Sequence, residues 1–141
     1  MTEADLLASR LAPDQFPFVK QIQVMSDQAK ASAAALANIA NPSFPDEEET
    51  IAQLKERIAK TVDFLNSVTK EMIDESTLSS RMIPFKWVPG KAFTAYDYAI
   101  SYTVPNFYFH YTTAYSILRN LGMPIGKMDF MGSLPLVDYT A

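Results

Sequence analysis

Asn106 and His110 stand four residues apart in PNFYFHYTTAYSILRNLGMPIGKMDFMG, the stretch from Pro105 to Gly132 that holds the only histidine of the chain. On a helix that spacing puts both side chains on one side, in a strip continued by Thr113 and Ile117. Two chemistries suit the pattern. A histidine four residues from a second ligand is how helical bundles build metal sites. An imidazole in an apolar bundle also serves as a hydrogen-bonded core group, satisfied by an asparagine, a tyrosine or a backbone carbonyl and fixing helix register, and this is the expected role of His110. The flanking tyrosines, Tyr102 among them, offer phenolic donors to a ligand or pack as core with their hydroxyls at the rim. With Trp87 from the aromatic segment upstream, the candidate ligand-binding set is His110, Asn106, Thr113, Tyr102 and Trp87.

Other chemistries are poorly provided for. Cysteine is absent, which removes disulfides, thiolate nucleophiles and thiolate metal sites. No serine sits in a nucleophile elbow, and a single histidine limits the available triads. The four glycines fall at turns rather than in a phosphate-binding loop. A net charge of −4 with no basic cluster disfavours nucleic acid. No apolar run reaches the roughly 20 residues that cross a bilayer, and the first residues lack the apolar core of a secretory signal. The expectation is one cytoplasmic domain over residues 1–141, large enough for a single core.

The elements that must position the strip are helices. Ala4 to Leu11 suits a short helix stopped near Pro13, after which Asp14 is placed to cap the next. Phe18, Ile22, Met25, Ala29, Ser32, Leu36 and Ile39 then recur at steps of four and three, one face of a helix ending at Asn41-Pro42. Acids 46–49 precede a second helix, where they suit its positive end. Thr50 and Gln53 form a capping box, and Ile51, Leu54, Ile58, Thr61, Leu65, Val68 and Met72 make the stripe. Lys55, Glu56, Arg57 and Lys60 lie off it and are expected to face water. Paired stripes of this kind suggest an antiparallel bundle.

Residues 79–92 carry two prolines and a Pro-Gly turn, and read as a short extended arm lying across the bundle. Thr94 caps a third helix. Pro105 either kinks it or begins a fourth, which Gly122 and Pro124 end. The tail beyond is apolar enough to fold back as an ordered segment over one end.

PNFYFH, TTAYSILRNLG and GKMDFMG together resemble the C-terminal signature of domain-of-unknown-function family nineteen-ninety-three, and LAPDQFPFVKQIQ fits the same family. The resemblance covers nearly the whole chain. It implies an all-α, DinB/YfiT-like four-helix bundle. Many members of that clan bind a divalent metal through three histidines, and some act as thiol-dependent transferases or isomerases. Aligning Leu118, Arg119 and Gly122 puts His110 and Asn106 on two of those ligand positions. The third histidine would come from another helix, where Asp27 or Asp63 would have to substitute. The resulting expectation is a small-molecule binding or interaction protein with a degenerate metal site and no cofactor. The alternatives are a divalent-metal-dependent transferase or isomerase using His110, and a homodimer that hides its aromatic surplus.

Overall fold

The computed structural model describes residues 1–139, omitting the side chains of residues 75–77. Its elements are α1 (Glu3–Ala8), α2 (Phe18–Ala37), α3 (Ile51–Ser67), a 3-10 turn (Lys70–Met72), α4 (Glu75–Ser80), β1 (Met82–Pro84), β2 (Ala92–Thr94), α5 (Ala95–Asp97), a π-helical segment (Tyr98–Thr103), α6 (Val104–Asn120) and α7 (Lys127–Met131). The all-helical bundle with a short extended arm is present as expected. Leu7, Phe18, Ile22, Leu54, Ala114 and Ile117 form the core, drawn from α1, α2, α3 and α6.

Helix starts follow the sequence closely. Thr2 with Asp5, and Thr50 with Gln53, form reciprocal capping boxes. The start of α2 is different. Asp14 does not cap it; Pro17 stands at the N-cap, and the Phe18 N–H donates to the Ser9 carbonyl at 2.8 Å. The same helix stops at Asn38 rather than at Asn41. Asn38 is left-handed (φ 57°), a conformation asparagine tolerates, and the Ile39 N–H closes back onto Ala34.

Helices α2 and α3 run parallel, not antiparallel. Ser26 meets Thr61 at 2.5 Å, each well inside its helix from the N-terminal end, and the connecting segment returns to place Asp46 on Lys20. A hydrophobic stripe has no direction, so it cannot set this sense. Helix α6 does run antiparallel to α2, pairing His110 with Gln21 and Asn106 with Gln28.

The expected break at Pro105 is absorbed without one. The chain stays helical from Ala95 to Asn120, and Val104 N–H bonds five residues back to Ala99 in the π segment. Proline lacks an N–H, and its ring crowds the carbonyl four residues back; the wider π turn accommodates both. At the far end, the Met123 N–H reaches Leu118 and the Gly122 N–H reaches Arg119 around a left-handed Gly122 (φ 82°), closing the helix.

The arm is a hairpin, with Ile83 opposite Phe93 and buried. Helix α4 takes residues 79 and 80, so the strands begin at Met82. Arg81 fastens the arm by donating to the Leu36 carbonyl (2.8 Å) at the C-terminal end of α2, where a cation also suits the helix dipole. The fold-back of the tail stops early. Phe130 stacks on Tyr111 with centroids 4.4 Å apart, but Leu136, Val137 and Tyr139 beyond Gly132 are exposed.

Candidate functional site

His110 points inward and is 8% exposed. Its Nδ1 lies 2.7 Å from Gln21 Oε1 on α2. Gln21 Nε2 donates to the Phe16 carbonyl at 3.0 Å. A carbonyl only accepts, so the amide nitrogen must face Phe16 and the amide oxygen must face the ring. Nδ1 therefore carries the proton. Burial pushes the imidazole pKa down from its ordinary 6.5, so at neutral pH the ring is uncharged. Its Nε2 is then a bare lone pair, with no hydrogen-bond partner among the described residues.

The neighbouring turns repeat the arrangement. Asn106 Nδ2 donates to Gln28 Oε1 at 2.7 Å, Gln28 Nε2 donates to Ser32 Oγ at 2.9 Å, and Thr103 Oγ1 donates to the same Ser32 Oγ at 2.8 Å. The α2–α6 seam is thus a ladder of neutral hydrogen bonds that fixes helix register. Thr113 is buried on the same face but bonds within its own helix, to the Phe109 carbonyl.

Three of the five expected site residues, His110, Asn106 and Thr113, share this face. The other two do not join them. Tyr102 belongs to an aromatic cluster with Phe85 and Phe93, its centroid 5.2 Å from that of Phe85. Trp87 is 68% exposed, with the Lys86 ammonium 4.7 Å from its ring centroid. Against His110 stand Phe16, stacked at 6.5 Å and half-exposed, and the edge of Phe109. Two clefts of about 340 Å³ lie away from the ring, one against α3 and one beside α1.

A divalent ion does not fit this donor set. Zinc and nickel favour imidazole, thiolate or carboxylate ligands. Here the imidazole and Asn106 face amides. Asp27 is committed to Arg57 (2.7 Å) and Lys30 (3.1 Å), and Asp63 is exposed on α3. Among the described residues, no group of three or more His, Cys, Asp or Glu is placed to hold a metal.

A second polar centre escaped the sequence reading. Arg57, expected to face water, is 2% exposed. Its Nη1 donates to the Pro45 carbonyl (3.0 Å) and Glu48 (2.9 Å), and its Nη2 pairs with Asp27 (2.7 Å) and Asp46 (3.0 Å). Nε–H, the fifth donor, is buried without a partner. Burial raises the Glu48 pKa, but hydrogen bonds from Arg57 and Gln23 outweigh it and hold the carboxyl below its ordinary value. The available signal was the acidic run 46–49 close to an arginine spaced three from Leu54 and four from Thr61, the residues that flank it on the buried face of α3.

Comparison with known proteins agrees with this architecture. A family model described as "Domain of unknown function (DUF1993)" matches residues 1–131. The chain is also similar to a protein of known crystal structure, titled a DinB family member from Shewanella denitrificans. The two share 37% identity and a TM-score of 0.90, over 96% of this chain and 76% of that one. A search of curated proteins gave no match.

Proposed function

The chain belongs to the DUF1993 family and has the DinB-type fold, and on that premise we propose that it is a binding protein that takes a small neutral molecule at His110 without a metal ion. The observation that carries this reading is the fixed tautomer. Gln21 holds Nδ1–H, and the Nε2 lone pair is left in a polar seam whose neighbouring turns are paired. A ligand that donates an O–H or N–H to this lone pair adds one hydrogen bond, worth about 0.5–1.5 kcal/mol net. Half-exposed Phe16 is the cover such a ligand displaces.

Imidazole ¹⁵N spectra at neutral pH test the proposal. A proton-bearing Nδ1 and an unprotonated Nε2 are expected, and phenol as a probe is expected to move Nε2 far more than Nδ1. Zinc or nickel present in stoichiometric amount in protein purified without chelator, and lost in His110→Ala, would overturn it.

A second reading concerns assembly. Tyr96, Ile100, Val104 and Tyr108 are each about half-exposed at four-residue steps along the outer side of the long helix. Apolar surface of this kind marks an interaction face, and a self-complementary one suits a homodimer. Sedimentation of the wild type at micromolar concentration is expected to give a dimer, and Ile100→Asp with Tyr108→Asp a folded monomer. A monomeric wild type rules the dimer out.

A further inference from the structure

We propose that residues 133–139 are a clasp for a second copy of this chain, each tail lying along the outer row Tyr96, Ile100, Val104 and Tyr108 of its partner. The proposal rests on the homodimer read above and names what that row binds. Leu136, Val137 and Tyr139 are 84–87% exposed, and Leu134 is 45% exposed. One copy thus leaves two apolar surfaces uncovered at once, and its tail does not cover its own row. Apolar surface of this extent marks an interaction site. At the areas usual for such side chains, row and tail together expose roughly 900 Å², against about 800 Å² per partner in a standard interface.

Length, placement and charge fit the two surfaces to each other. From Tyr96 to Tyr108 the row covers about 18 Å of helix, and residues 133–139 reach up to about 23 Å when extended. The root of the tail stands beside one end of the row: Phe130 stacks on Tyr111 at 4.4 Å, and Tyr111 meets Tyr108 at 6.2 Å. The other end of the row adjoins the arm, where β2 leads from Lys91 into Tyr96. No acid lies between Glu75 and Asp97, a stretch that holds Arg81, Lys86 and Lys91 in a chain of net charge −4. Lys91 forms no salt bridge among the described residues. Asp138 is the one charged residue of 133–139. A two-fold axis running along the rows brings each tail in beside its partner's Tyr108, and Asp138 then arrives at the cationic arm. The contact is isologous and closed, so assembly stops at two.

The absence of cysteine makes cross-linking of the full chain a direct test. One chain carrying Leu136→Cys is mixed with another carrying Ile100→Cys and oxidised; a disulfide joining the two chains is expected. With both substitutions in one chain, oxidation is expected to give covalent dimers. A monomer closed by an internal disulfide would place the tail on its own row and overturn the proposal. Sedimentation gives the second measurement. Leu136→Asp with Val137→Asp lies wholly in the exposed tail, so the helical circular dichroism is expected to be unchanged while the dimer dissociation constant rises about tenfold or more. A wild-type dimer that these tail substitutions leave equally tight overturns the clasp but not the homodimer. A monomeric wild type overturns both.

Discussion

Arg57→Ala is expected to destabilise the fold by about 3 kcal/mol, the low end of the range for breaking a buried charge pair. Urea unfolding reads this as a lower midpoint, and thermal unfolding as a drop of about 10 °C. The low end applies because the stranded partners differ. Asp27 and Asp46 are each about one-third or more exposed and can rehydrate, whereas the Glu48 side chain, 11% exposed, cannot. Acidification should show the same centre from the other side. The Glu48 pKa is held below 4.5 in the folded protein, so its contribution is fully present above that pH and is lost as pH falls through the folded value. Glu48→Gln removes this limb of the acid-unfolding curve. A midpoint in Arg57→Ala within experimental error of the wild type would show that the cluster is solvated and contributes little, as exposed ion pairs do.

That cluster also marks where sequence reasoning reached its limit. Periodicity located the long helices because burial of apolar side chains imposes a spacing, and the Thr50–Gln53 box fixed one helix start because its chemistry is local. Arg57 was assigned to solvent because an apolarity count prefers Ile58 as the inward residue, yet Ile58 is 38% exposed and Arg57 2%. What buries the arginine is a set of carboxylates brought back by the 39–50 connection, a tertiary fact that no window along α3 contains. Pro105 is similar. A proline is a local signal for a break, but the π segment that absorbs it packs through Tyr102 against Phe85 and Phe93 of the arm, contacts that no local window contains. The strip from Asn106 to Ile117 was visible as a strip; that its partners are the amides of Gln21 and Gln28 required the antiparallel register of α2 and α6.

Those amides give the second large effect. Gln21→Leu is expected to cost about 2 kcal/mol, because it strands the Nδ1–H of a buried imidazole. His110→Leu is expected to cost a similar amount by stranding the oxygen of Gln21, which is 1% exposed. Gln21→Leu with His110→Leu removes both halves of the bond and leaves apolar groups in contact, so the double variant is expected to be more stable than either single one. The pH profile separates the residues further. The folded pKa of His110 lies below 6.5, so the unfolded chain takes up its proton first; stability falls as pH drops below about 6.5, down to the folded value. His110→Leu abolishes that slope, while the Glu48 limb at lower pH persists. Additive losses in the double variant would mean that Gln21 and His110 do not bond to each other. The Nδ1–H assignment would then fall, and with it the lone pair on which ligand recognition at this seam depends.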